Sequence, residues 1–261
     1  MARGLARSRG EARDLIAAGE VRVAGVTARK PAQAVSDEDP LTVDDLGPRW
    51  VGRAAHKLLA ALHAWGPDGL QVHARRCIDV GASTGGFTQV LLAEGAARVV
   101  ALDVGHGQLA AEVASDPRVD ERSGTSVRGL APDDVGGRAG VVVADLSFIS
   151  LTLVADELAG LLDPEGDLVV LVKPQFEVGR RKLGQRGVVG DPRDRAAAVR
   201  GVAAALAAAG LSVRAVTTSP ISGTTGNIEY LMWARSDPSD TMTEDEIDAA
   251  ARAVAHETPG G

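Results

Sequence analysis

An α/β fold built on a doubly wound, largely parallel sheet and preceded by a small N-terminal module is predicted by three features of this sequence. Short apolar runs alternate with helical spacings from Cys77 onward, a glycine-rich turn stands where the first of those runs becomes a helix, and Gly47-Pro48 breaks a basic first segment from the rest. At 261 residues, one large domain with an appendage is favoured over two equal domains. A composition of 45% apolar and 24% charged residues is that of a globular chain and excludes disorder, collagen and coiled coil.

The elements follow in order. Residues 9–18 have helical spacing, Gly19 suits the position just past a helix end, Val21-Arg22-Val23 begins a strand and Gly25 marks a turn. Residues 35–43 read as a second short strand, interrupted at 36–40, and a module of roughly 45 residues is too small to be stable without leaning on a partner. Residues 53–65 place Leu58, Leu59, Leu62 and Trp65 on one face of an amphipathic helix. Strands are expected at 77–80, 98–102, 141–144 and 168–172, with helices at 87–93, 108–114, 151–162 (stopped by Asp163-Pro164) and 193–209 (closed by Gly210). Residues 212–217 and 229–234 complete the sheet, right-handed crossovers give the doubly wound topology, and the tail has room for a last helix at 243–255.

Cys77 is the only cysteine, so neither an internal disulfide nor a multi-thiolate metal site can form, and a reducing, cytoplasmic setting is expected. The start has no apolar leader pattern and the longest apolar stretch, 201–211, is too short to span a bilayer. The net charge of −7 is unevenly spread: residues 1–30 and residues 173–195 each carry seven Lys/Arg against three Asp/Glu, whereas residues 237–261 carry seven acids and one Arg. Without that tail of −6 the remaining chain is at −1, and its two basic segments predict a face for a polyanion, with the acidic C-terminus away from it.

Asp79-Val80-Gly81-Ala82-Ser83-Thr84-Gly85-Gly86-Phe87 is the strongest local signal. A dinucleotide fingerprint would need glycine at Ser83, whereas Asp79-x-Gly81-x-x-x-Gly85 suits a ligand without pyrophosphate, such as S-adenosylmethionine. Asp103, 24 residues after Asp79 and following the second strand, can accept both hydroxyls of an adenosine ribose. The alternative is a tight strand-helix turn with a capping Asp. Asp145 and Lys173 lie at the carboxyl ends of later strands and so face the same crevice, as a charged site or as a structural pair. Lys57 and Glu229 could complete the cluster or be solvated surface charges. Phe148, Phe176 and Tyr230 flank the crevice as stacking surfaces for bases, with Phe148 and Phe176 equally readable as wall or core residues.

Lys57, Asp145, Lys173 and Glu229 match, in order and context, the Lys-Asp-Lys-Glu tetrad of ribose 2′-O-methyltransferases. More narrowly, His56-Lys57-Leu58, Gly81-Ala82-Ser83-Thr84-Gly85-Gly86-Phe87, Ala144-Asp145-Leu146-Ser147-Phe148-Ile149-Ser150, Leu171-Val172-Lys173-Pro174-Gln175-Phe176-Glu177 and Gly226-Asn227-Ile228-Glu229-Tyr230 stand in register, and residues 5–235 resemble the TlyA, or hemolysin A, family. The resemblance implies a class I S-adenosylmethionine-dependent methyltransferase with a Rossmann-like doubly wound sheet at 53–261. It also implies a linker at 48–52 and an alpha-L-type RNA-binding module at 1–47. The implied activity is methyl transfer to the ribose 2′-hydroxyl of cytidine in small- or large-subunit ribosomal RNA, with ribosomal subunits as partners and neither metal nor membrane involved. Carried over residue by residue, the catalytic groups are Lys57, Asp145, Lys173 and Glu229. The cofactor contacts are Asp79, Gly81, Ala82, Ser83, Thr84, Gly85, Gly86, Phe87, Asp103, Asp145 and Leu146. Arg3, Arg7, Arg9, Arg13, Arg22, Lys30, Arg49, Arg180, Arg181, Lys182 and Arg186 are the expected RNA contacts.

Three departures from the family pattern stand out. The chain starts where relatives have the end of a further helix, so the RNA-binding module is expected to be truncated; Thr125-Ser126-Val127-Arg128 stands where mycobacterial relatives have an Asn; and Pro48 replaces a basic linker residue.

For the chemistry, a ribose hydroxyl is a poor nucleophile at neutral pH, and Lys173 is the expected proton acceptor or alkoxide stabiliser. Burial and Lys57 would favour its neutral form, while Asp145 and Glu229 would favour the charged one. Competing readings are a membrane-lytic protein, against which the lack of a span or basic amphipathic helix argues, and an RNA-binding protein with an inactive methyltransferase domain. A methyltransferase of proteins or small molecules would have no reason for two lysines in the crevice.

Overall fold

The computed structural model describes residues 3–6, 9–17, 19–36, 38–43, 50–237 and 239–253. The chain divides into two compact units, Met1–Arg53 and Ala54–Gly261.

In the first unit helix α1 (Arg9–Ala17) leads to strands β1 (Val21–Val23), β2 (Val26–Thr27) and β3 (Leu41–Val43), which form an antiparallel sheet of order β2-β1-β3. The helix ends as its sequence predicts: Gly19 has φ +75°, Gly19 N donates to Ile16 O and Glu20 N donates to Leu15 O, the paired bonds of a Schellman motif. Ala24 and Gly25, both at positive φ, make the two-residue hairpin turn between β1 and β2. A small core of Val21, Val23 and Ala28 holds Leu15, Ile16, Leu41 and Val43 against it. The strand expected at 35–43 forms only at Leu41–Val43, because Ser36 and Asp39 turn the chain on themselves by reciprocal side-chain bonds.

The second unit runs α2 (Ala55–Trp65), β4 (Arg76–Val80), α3 (Gly86–Ala93), β5 (Arg98–Asp103), α4 (Ala111–Ala114), β6 (Val119–Ser123), β7 (Ala139–Ala144), α5 (Ala155–Gly160), β8 (Leu162–Val172), α6 (Pro174–Glu177), α7 (Pro192–Ala208), β9 (Ser212–Thr218), β10 (Tyr230–Arg235) and α8 (Glu244–Arg252). Its seven-stranded sheet has the order β6-β5-β4-β7-β8-β10-β9, parallel from β6 to β8 and antiparallel where β10 pairs with β8 and β9. The strand order reverses between β4 and β7, so a crevice opens beyond the carboxyl ends of those two strands.

Burial explains the central strands. All six residues of β7 are buried, as expected for a parallel strand covered on both faces, and Leu91, Leu158 and Leu206 bring helices onto the sheet with essentially no exposed surface. Truncating any of these leucines to alanine is expected to cost about 2–5 kcal/mol. Trp65, at the end of α2, stacks on Trp233 of β10 with ring centroids 6.1 Å apart, which fixes the helix that carries Lys57. At the end of β10 away from Glu229, buried Asp167 receives Arg75, Arg235 and the Trp233 indole, so its charge is matched.

Several expected elements differ. Val119–Ser123 is a strand that hydropathy does not mark, because Val-Asp-Glu-Arg-Ser pairs only with β5 at the sheet edge and needs no apolar face. The helix expected at 108–114 shrinks to Ala111–Ala114: Ala110 is extended, and Gln108 turns back toward Asp103. The helix expected at 151–162 is a 3-10 turn at Leu151–Leu153 and then α5, broken at Val154 with φ −135°. Leu162 already belongs to β8, and Pro164 is tolerated there because residues 163–166 fall in a gap of the β7–β8 register. The tail helix is Glu244–Arg252, capped by reciprocal Thr243 and Glu246 bonds.

Candidate active site

The glycine turn is shaped by the strand beside it. Gly81 N and Ala82 N both donate to Leu102 O of β5, and Asp145 N donates to Val80 O, binding the ends of β4, β5 and β7 together. A Cβ at Gly81 would stand 2.7 Å from Asp145 O, and Gly81 has φ +87°, so only glycine fits there. Gly85, at φ +95°, is equally confined: a Cβ would come within 2.8 Å of Leu109 Cδ1.

Asp103, at the end of β5, is held by Ser83 N at 2.8 Å on one oxygen and Gly105 N at 2.7 Å on the other. Oδ1 also receives a long contact of 3.4 Å from Gln108 Nε2, whereas Oδ2 keeps a second lone pair able to accept from a ligand hydroxyl. Ala82, Ser83, Asp103, Gln108, Glu121 and Ser123 line a cavity at this point. The rest of the turn shapes the site from behind: Phe87 and Gly86 are buried in the first turn of α3, Thr84 O accepts from Ala110 N, and Leu146 packs against the core. Glu121 and Ser123 were missed by sequence reasoning together with their strand.

Asp79 is fully buried. Its Oδ2 accepts from Thr88 Oγ1 at 2.6 Å and its Oδ1 has no protein partner. Burial pushes the carboxyl up to about 7 against the opposing Thr88 hydrogen bond, with further upward contributions from Asp145 and Asp103. Asp103, and Asp79 where it is ionised, give this turn a negative field that suits a cationic ligand, while Asp145 is matched by Lys57 and Lys173.

The four charged residues proposed from the sequence stand together. Lys57 Nζ donates to Glu229 Oε2 at 2.7 Å and lies 3.8 Å from Asp145 Oδ2. Lys173 Nζ is 2.6 Å from Asp145 Oδ1, a close ion contact outside hydrogen-bond alignment, and donates to Ser147 Oγ at 2.9 Å. Asp145 is thus shared by both lysines, and Gln175 Nε2 adds a long contact of 3.5 Å to Glu229 Oε1. All but Asp145 are over nine-tenths buried, a position charged groups occupy only when paired. Glu229 precedes β10, and a Cβ at Gly223 would press within 2.5 Å of its Oε1. Ser147 is a partner that the motif contained but its spacing did not single out.

Around the cluster, Phe148 is 91% exposed at φ +65° and its ring lies 5.3 Å from that of Phe176, whereas Tyr230 is buried. Tyr230 is therefore a core residue whose hydroxyl accepts from buried Arg195. Buried Asn227 accepts from Val189 N and donates to Gly187 O, while Arg195 donates to Val189 O and Gly190 O, so the glycine-rich basic loop is pinned beside Glu229. On that loop Arg181, Lys182 and Arg186 are exposed, with Lys182 paired to Asp194 at 2.7 Å. In the first unit Arg9, Arg13 and Lys30 are exposed and Arg22 is half-buried. Arg3 donates to the carbonyls of Asp39 and Ser36. Arg7 and Arg49 lie outside the described residues, as does the side chain of Arg180.

A doubly wound sheet with a glycine turn, an acid after the second strand and this charged cluster at the switch point defines the class of S-adenosylmethionine-dependent methyltransferases. The chain belongs to the FtsJ-like methyltransferase family, which matches residues 50–236, and within it groups with the TlyA proteins; an S4 domain matches residues 1–41. It is 49% identical over 258 residues to the 16S/23S rRNA (cytidine-2′-O)-methyltransferase TlyA of Mycobacterium tuberculosis, covering 98% of this chain and 95% of that one. It is 36% identical over 229 residues to Hemolysin A of Brachyspira hyodysenteriae, covering 87% and 94%. Among solved structures, a candidate hemolysin from Streptococcus thermophilus superposes with a TM-score of 0.75 at 35% identity, covering 95% of this chain and 90% of that one.

Proposed function

We propose that this protein transfers a methyl group from S-adenosylmethionine to the ribose 2′-hydroxyl of a cytidine in ribosomal RNA, in the small subunit, the large subunit or both. The observation that carries this reading is the buried cluster of two lysines and two carboxylates at the switch point, in a chain nearly half identical to an enzyme of that name.

The residues present fit the cofactor. The unpartnered Asp79 oxygen, the close backbone approach at Gly81 and the lined cavity at Asp103 supply an anionic wall, a shaped turn and acceptors for ribose hydroxyls. S-adenosylmethionine, when bound, contributes a methyl group activated by a sulfonium. Displacement there is in line, so the chain must hold the attacking oxygen at about 3–3.5 Å from the methyl carbon. Lys173 carries the proton step, as acceptor from the 2′-hydroxyl or as the cation that stabilises its alkoxide. Asp145 orients both amines and Glu229 neutralises Lys57, which leaves Lys173 as the amine for the substrate.

Residues 1–47 serve as the RNA-binding module, 48–52 as the linker and 53–261 as the methyltransferase. Arg9, Arg13, Lys30, Arg181 and Arg186 contribute phosphate contacts, which supply affinity rather than sequence information. Phe148 offers its exposed face to a base drawn toward the site. Among the described residues no helix is long and apolar enough to cross a membrane.

Alanine at Lys57, Asp145, Lys173 or Glu229 is expected to remove methyl transfer to ribosomal RNA. For Lys57, Lys173 and Glu229, parallel titration of cofactor binding separates that loss from unfolding, and unimpaired transfer in the Lys173 variant would refute the assignment.

A further inference from the structure

Glu177 has no part in the chemistry described so far, yet its carboxylate joins the two segments that bear Asp145 and Lys173. One oxygen accepts from Leu151 N at 2.9 Å and the other accepts from the Ser150 hydroxyl. Glu177 closes α6, the helix that begins directly after Lys173, while Ser150 and Leu151 end the loop that leaves β7 at Asp145. Nearer the site, Ser147 Oγ in the same loop accepts from Lys173 Nζ at 2.9 Å. The loop is therefore fastened at two points to the single segment 173–177.

Between the fastenings lies Phe148, in left-handed backbone at φ +65° and 91% exposed. A bulky residue in that region costs about 1–3 kcal/mol and persists only where its surroundings hold it. The fastenings also constrain Lys173. Its amine has two fixed neighbours, an ion contact to Asp145 Oδ1 and a hydrogen bond to Ser147 Oγ, which together limit where the nitrogen can stand.

Resting on the function proposed above, we infer that Glu177 is a positioning residue for the methyl-transfer reaction: it fixes residues 147–151 so that Ser147 holds the Lys173 amine and Phe148 stays presented to the substrate, while Asp145 and Leu146 are held independently by Val80 O and the core. Glu177→Ala removes both anchors and is expected to lower kcat on the order of tenfold to a hundredfold, the loss that follows from one or two hydrogen bonds to a charged group. Cofactor affinity should change by less than about twofold, since Glu177 touches none of the proposed cofactor residues. Glu177→Gln should retain most of the activity, because an amide oxygen can accept from Leu151 N while its NH2 donates to Ser150 Oγ.

The decisive readout is a double-mutant cycle with Ser147→Ala, measured on ribosomal subunits at saturating cofactor. If Glu177 acts through the loop, the double variant is no slower than the slower single variant. Multiplicative losses, a Gln variant as slow as Ala, or a loss of cofactor affinity parallel to kcat would overturn the inference. Hydrogen exchange on the free protein gives an RNA-independent check: in Glu177→Ala, peptides covering residues 147–151 should exchange faster while those of β7 and β8 do not. Unchanged exchange at 147–151 would also overturn it. Should the wild-type protein leave ribosomal RNA unmethylated, the proposed function fails, and the exchange result alone decides whether Glu177 holds the loop.

Discussion

Lys57 Nζ and Glu229 Oε2 meet at 2.7 Å although the two residues are 172 positions apart, and both are buried. A helix that precedes the sheet and a segment that enters its penultimate position in the strand order thus close one ion pair. Removing one partner of a buried pair leaves the other charge uncompensated, which typically costs about 3–5 kcal/mol. Glu229→Ala should therefore lower both stability and activity. The stability loss should fall at the lower end of that range, because Asp145 Oδ2 at 3.8 Å remains near the lysine. Denaturant titration alongside methyl transfer checks this; a fully stable Glu229→Ala variant would show that the pair carries no folding energy.

Asp79 links the cofactor site to pH. Its folded carboxyl titrates at about 7, above the ordinary Asp value of 3.8, because burial disfavours the charge. Between those values the folded state binds the extra proton, so the contribution of Asp79 to stability is greatest below the lower value and falls as pH rises toward about 7, then levels. Asp79→Asn should flatten that slope in unfolding experiments from about pH 4 to pH 8. A cationic cofactor favours the ionised carboxyl, so its affinity for the wild-type protein should rise across the same interval, and a pH-independent affinity would contradict the assignment.

Phe148 separates substrate engagement from folding. Its side chain is 91% exposed, so Phe148→Ala should alter stability by no more than about 0.5 kcal/mol. Cofactor affinity should hold, while turnover on ribosomal RNA falls roughly tenfold or more, as expected when a stacking surface worth about 1–3 kcal/mol is lost. Equal activity of the variant and the wild type would remove Phe148 from the account.

Arg181 and Arg186 stand exposed on the pinned glycine-rich loop. As phosphate contacts, each should contribute a slope of about one in the plot of log affinity against log salt concentration. Alanine at both should weaken RNA binding at low salt and reduce the salt slope by about two, with no change in which nucleotide is modified. An unaltered slope in filter-binding or anisotropy titrations would assign the RNA contact elsewhere.

Much of this site was legible before any coordinates because its chemistry is written in short local words. Asp79 to Phe87 announces a ligand turn by glycine spacing, and the structure supplies the reason in the 2.7 Å approach of Asp145 O to the missing Gly81 Cβ. The central strands were equally plain, being continuous apolar runs buried on both faces. Edge strand Val119–Ser123 was not, since a polar strand paired on one side carries no periodicity. Tyr230 was proposed as a flank of the crevice and turned out to be core, because alternation at a strand start does not tell which face is covered. Ser147 and Glu177 were invisible as partners for a different reason: their bonds to Lys173 and Leu151 join loops from different strands, and only the β7–β8 pairing brings those loops side by side.

The central claim is tested most directly by incubating the purified protein with isotope-labelled S-adenosylmethionine and separated small and large ribosomal subunits lacking the modification, then digesting the RNA to nucleosides for mass spectrometry. The account predicts label in 2′-O-methylcytidine from at least one subunit and none with Lys173→Ala. Label confined to a base, or absent from the RNA of both subunits, would contradict it.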